Sequence, residues 1–128
     1  MKSHLVLAIA GVAGLSLVGC AAKESATSQS AKPSGAQIAV NATDTECALS
    51  ASESPKGTTA FVVTNNGTKP TEFYVYGKDG SVLAEVENIS PGLKRDLVVD
   101  LNEAGTYKLA CKPGMVGDGI RTDFSVKG

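Results

Sequence analysis

The chain has 128 residues, enough for one domain, and a formal net charge of −1, so no basic surface invites nucleic acid. It has no Trp, few aromatics and 14 glycines, which suits many short strands joined by turns. Its one histidine, His4, lies in a segment expected to be removed, which excludes a Ser-His-Asp or Cys-His centre and any His-ligated metal from the mature protein.

Met1-Lys2-Ser3-His4 is a short polar start, and Leu5 to Val18 is an apolar run of small and aliphatic residues. That layout predicts a signal peptide over residues 1–19, too short for a membrane span. Leu17-Val18-Gly19-Cys20 closes it and resembles the bacterial lipoprotein signal at all four positions. The resemblance implies cleavage before Cys20, lipidation of its sulfur, and a protein held at the cell membrane on the extracytoplasmic side. Two acyl chains anchor firmly, because each buried methylene contributes about 0.8 kcal/mol. Residues 20–35 then form a tether, with Ala, Ser, Thr and Lys but no large apolar side chain to bury.

Residues 36–128 read as the folded domain. A strand starts at Ile38-Ala39-Val40 and continues with polar residues to Cys47; Ala48 to Gly57 reads as a loop. Thr58 to Asn65 is a strand with Thr59, Phe61 and Val63 on one face, and Asn65-Asn66-Gly67 is a turn signal. Thr71 to Tyr76 follows, with Phe73 and Val75 on one face and Glu72, Tyr74 and Tyr76 on the other. After Gly77-Lys78-Asp79-Gly80 come strands at Val82–Val86, Leu93–Leu101, Gly105–Cys111 and Ile120–Val126. About seven short strands near ten residues apart predict an all-β domain, an antiparallel two-sheet sandwich.

Tyr107, Leu109 and Cys111 share a face by the strand period, so Cys111 is expected to point inward, just before a Pro-Gly loop that carries Met115. Two readings of these sulfurs stay open. Cys47 and Cys111 are the only thiols left once Cys20 is lipidated, and an even pair outside the cytoplasm defaults to a disulfide. Left reduced, the two thiols and the Met115 thioether make a soft set suited to Cu⁺. Glu85 and Glu87 are two apart, hence on one face of a strand, and can chelate a hard cation such as Fe³⁺, or simply meet solvent. Asp44 and Glu46 make a similar pair beside Cys47. A blue-copper centre needs two histidines with its cysteine, and none is available.

Asp44-Thr45-Glu46-Cys47, Thr71-Glu72-Phe73, the run from Leu83 to Gly92 with Glu87-Asn88-Ile89-Ser90-Pro91-Gly92, and Gly105 to Cys111 together resemble the EfeO-type cupredoxin-like domain, a module of the EfeUOB iron-uptake system. The resemblance covers Gln37 to Gly128. It implies a Greek-key sandwich of the cupredoxin type and binding of copper or ferric iron. Its metal positions, carried over, are Cys47, Cys111, Glu72, Glu85 and Glu87; partners would be other components of an iron-uptake system. Two classes of function follow: a metal-binding accessory lipoprotein, or a disulfide-stapled Ig-like module that binds a protein partner without metal. No nucleophile–base pair appears, so an enzyme is not expected.

Overall fold

The computed structural model describes residues 35–128. The signal segment, Cys20 and most of the tether lie outside the described residues. Nine strands form two sheets facing each other, with no α-helix among the described residues. They are β1 (Ala36–Ala42), β2 (Cys47–Leu49), β3 (Glu53–Pro55), β4 (Gly57–Asn65), β5 (Thr71–Tyr76), β6 (Val82–Ile89), β7 (Lys94–Leu101), β8 (Gly105–Cys111) and β9 (Ile120–Lys127). One sheet has the order β2-β1-β4-β7 and the other β3-β9-β8-β5-β6. A 3-10 turn, Pro113–Met115, separates β8 from β9.

The all-β sandwich expected from the sequence is present, with three differences. Two strands lie where a loop was expected, and the strand expected to run on to Cys47 breaks after Ala42. The break has a local cause: the Thr43 hydroxyl accepts from the backbone N–H groups of Thr45 and Glu46, and this turn folds β2 back antiparallel on β1. The sheets are also mixed, since β1 pairs parallel with β4 and β3 parallel with β9. Between β2 and β3 the chain crosses from one sheet to the other, which brings β3 beside β9.

The core is built by period-two alternation from both sheets. Phe61 lies 5.4 Å from Phe73 and 5.3 Å from Phe124, ring centroid to ring centroid, and all three are fully buried. Ile38, Val40, Val63, Val75, Ile89, Leu101 and Leu109 fill the space around them. Each such side chain contributes roughly 1.5–3 kcal/mol relative to exposure.

The pairing registers define two poles. Ala36 pairs with Thr59, Gly57 with Leu101 and Gly105 with Val126, so both ends of the described chain lie at one pole. Ala42 pairs with Asn65 and Cys47, and Cys111 lies at the far end of β8, so these residues mark the other pole.

Candidate functional site

Cys47 and Cys111 form a disulfide, with Cα atoms 5.5 Å apart. It ties β2 of one sheet to β8 of the other across a sequence separation of 64. In the chain-entropy account a closure of that length stabilises by about 4 kcal/mol. Cys111 points inward, as its alternation with Leu109 requires, and is fully buried; Cys47 is nearly so.

Met115 sits in the loop that leaves this strand. The loop is pinned where Gly114 N–H donates to Pro70 O and Met115 N–H to Lys112 O. Met115 adopts φ 56°, a left-handed conformation uncommon for a residue with a Cβ, and its side chain is exposed together with that of Val116.

The carboxylates lie elsewhere. Phe73 pairs with Cys111 and both face the core, so Glu72, next along β5, faces outward. On β6, Ala84 and Val86 pack against the core, which sends Glu85 and Glu87 to the same outer face. The sheet therefore divides the residues expected to hold metal: the cysteine sulfurs inside, Glu72, Glu85 and Glu87 on the outer face, and Met115 exposed in its loop. Among the described residues no three Cys, His, Asp or Glu side chains gather closely enough to hold a metal ion. Asp44 is engaged otherwise: Oδ1 accepts from Thr68 N–H at 2.9 Å and Oδ2 from the Thr68 hydroxyl at 2.5 Å. These bonds hold the Asp44 carboxyl below its ordinary range.

Tyr74 centres the outer face. It is only 8% exposed, and its hydroxyl donates to Glu87 at 3.4 Å. Burial, then the hydrogen bond and charge of Glu72 and the charge of Glu85, push its ionisation well above the usual tyrosine range. Its ring stacks on Tyr76 at 5.7 Å. Lys112 Nζ lies 3.9 Å from the Tyr74 centroid, and the Arg121 guanidinium 5.0 Å from that of Tyr76. The outward side of Thr71–Tyr76 was legible in the sequence; the capping of its rings by cations from the segment after β8 and from β9 needed the pairing register.

A cleft of about 420 Å³ opens at the pole of the chain ends, lined by Lys78, Asp79, Ser81, Asp100, Glu103 and Tyr107 among others. Lys78 pairs with Glu103 at 2.8 Å, which raises the lysine and lowers the carboxyl from their ordinary ionisation ranges. The cleft carries no sulfur or imidazole.

A blue-copper set does not fit this chain. Residues 35–128 contain no histidine, and the thiol such a centre needs is bonded to Cys47.

A family model described as "Cupredoxin-like domain" matches residues 9–122. No curated protein matches the chain. Among solved structures, the chain is similar to dithionite-reduced auracyanin from Roseiflexus castenholzii, with TM-score 0.56 and 15% identity over 72% of this chain and 97% of that one. It is similar to an azurin from Methylomonas sp. strain J, with TM-score 0.56 and 12% identity over 73% and 98%. It is also similar to auracyanin A, a "blue" copper protein from Chloroflexus aurantiacus, with TM-score 0.53 and 15% identity over 71% and 98%. At these identities the likeness is one of fold.

Proposed function

The chain belongs to the cupredoxin-like domain family, and we propose that it is a lipid-anchored, extracytoplasmic accessory protein that binds iron or copper for an uptake system of the EfeO type. It acts by binding, not catalysis, and without a blue-copper centre. The observation that carries the reading is the sulfur arrangement at one pole. Two cysteines from different sheets meet there, and the strand bearing one of them opens directly into the loop bearing Met115.

In the oxidised protein the cysteine sulfurs are poor ligands; Glu72, Glu85 and Glu87 are the outward donors left for a hard cation such as Fe³⁺, and since the three do not gather into one site they would have to move together to bind it. Reduction frees two thiols at one point. With Met115 they supply the soft donors that suit Cu⁺. Calorimetric titration with Cu⁺ and with a chelated ferric salt, on oxidised and reduced protein, tests the reading. Cu⁺ binding only after reduction supports the sulfur arm, and ferric binding to the oxidised protein supports the carboxylate arm.

The disulfide itself favours a second reading. It occupies both thiols and braces a small sandwich, as in a module that recognises a protein partner and binds no metal. Absence of binding by either metal in either redox state, with the fold intact, selects this reading over the first.

A further inference from the structure

The outer face of the β3-β9-β8-β5-β6 sheet is divided by charge in a way its own ion pairs do not use up. Glu85 and Glu87 on β6 and Glu72 on β5 form an acidic flank. Lys108 on β8, Lys112 just past its end, and Arg121 and Lys127 on β9 give the opposite flank its basic side chains, and the stacked Tyr74 and Tyr76 lie between. On the basic side Lys108 pairs with Asp123, Lys127 with Glu53 at 3.1 Å, and Arg121 has the more distant Asp118 at 3.7 Å, which leaves Lys112 unpaired there. Among the described residues Lys112, Glu72, Glu85 and Glu87 have no ion-pair partner, although acid and base share one face.

We propose that this face docks a second copy of the chain, about a two-fold axis that runs along the β5–β8 seam, parallel to the strands. Rotation about that axis exchanges the flanks, so the acidic side of each copy covers the basic side of the other. An in-plane axis across the strands would instead set acid on acid. Charge thus selects one of the two symmetric face-to-face packings.

The register names the contacts. Glu85, Tyr74, Ala110 and Arg121 form one continuous row across β6, β5, β8 and β9. Glu72 and Lys112 exchange backbone hydrogen bonds and share the next row. Height along the axis is kept by the rotation, so Glu85 meets Arg121 of the partner subunit and Glu72 meets Lys112 of the partner subunit. Tyrosine and arginine are side chains that often anchor interfaces; here Tyr76 lies near the seam and Arg121 on the flank, while Tyr74 is already largely covered. Four strands about 4.8 Å apart and roughly 20 Å long give a footprint below the ~800 Å² per partner of stable complexes, so the pair is a weak one.

The test is sedimentation equilibrium on residues 20–128 carrying Cys20→Ser, which removes association through acyl chains and through the apolar run Leu5–Val18. Wild type in this background is expected to dimerise with a dissociation constant between about 10 µM and 1 mM, weakening as salt rises. Glu85→Arg and Arg121→Glu each weaken the dimer about tenfold or more, and the double variant restores it, because the swap preserves complementarity in a two-fold pair. On dilution of the same unsubstituted face, amide shifts move on the outward residues of β5, β6, β8 and β9. A monomer up to about 1 mM, single variants that associate normally, a double variant that stays weak, or dilution shifts centred on the other sheet would each overturn the proposal.

Discussion

Asn65 is bonded to Ile89 across the end of the sandwich: its buried Nδ2 donates to Ile89 O at 2.7 Å and also to Lys69 O at 2.8 Å, while its Oδ1 accepts from Gly67 N–H at 2.9 Å. One side chain thus satisfies three backbone groups, two in the β4–β5 loop and one at the end of β6. Asn65→Ala leaves those groups unpaired in a buried setting. The expected cost is about 2–4 kcal/mol by urea unfolding, with little change in the slope against denaturant. A loss under about 0.5 kcal/mol would mean the loop and the end of β6 hold without the amide.

Acid should loosen the same region through Asp44. Its folded ionisation lies below the ordinary 3.8, chiefly through the Thr68 hydroxyl, so the folded state favours the charged form. The unfolded chain then takes up the proton first as pH falls. The stabilising contribution is complete above the ordinary value and is lost as pH drops below it through the folded value. Asp79, held low by Ser81, and Glu103, held low by Lys78, add to the trend. Asp44→Asn should flatten the pH dependence of the melting temperature below about pH 4; an unchanged slope would assign acid sensitivity elsewhere.

The disulfide predicts a sharp redox contrast. Thiol titration of denatured oxidised protein should find Cys47 and Cys111 unreactive until a reductant is added. Removing both with Cys47→Ala and Cys111→Ala should cost roughly 4 kcal/mol. In reduced protein Met115→Leu should weaken Cu⁺ binding several-fold while leaving the unfolding midpoint unchanged, since that side chain is exposed. Equal Cu⁺ affinity in Met115→Leu would remove the thioether from the set.

Copper should never colour the domain blue. No imidazole is present in residues 35–128 to complete a thiolate–His₂ set. Cu²⁺ added to oxidised or freshly reduced protein should give no intense band near about 600 nm. Such a band would require ligands from outside the domain.

Membrane attachment should depend on Cys20. Cys20→Ser should shift the protein to the soluble extracytoplasmic fraction or leave it unprocessed at higher mass. Unchanged detergent partitioning and mass would remove the lipid anchor from the proposed function.

Much of this architecture was legible in the sequence because its long strands largely alternate. Thr59, Phe61 and Val63 share a face as expected, and it is the inward one; Tyr107, Leu109 and Cys111 went inward as expected. What escaped was short or non-local. β2 and β3 have three residues each, and β3 contains a Ser and a Pro that carry no strand signal. Their existence depends on partners far along the chain, as does the parallel pairing of β1 with β4. At the site, the same alternation that sent Cys111 inward and Glu72 outward already implied that sulfurs and carboxylates sit on opposite faces. Grouping them followed from family resemblance. Asn65 gave a turn signal through Asn65-Asn66-Gly67, but the role of its side chain depended on Ile89, distant in sequence.

The two poles set an orientation. Ala36 and Lys127 leave at the same pole, and the disulfide with the Met115 loop lies at the opposite one, a strand length of about 25 Å away. Whatever holds the domain through residue 36 therefore presents the sulfur pole outermost, like the tip of a post. A two-fold axis parallel to the strands keeps both posts upright: the two copies' attachment ends point the same way. A pair built on the tyrosine face can stand on one flat support, with neither copy turned upside down.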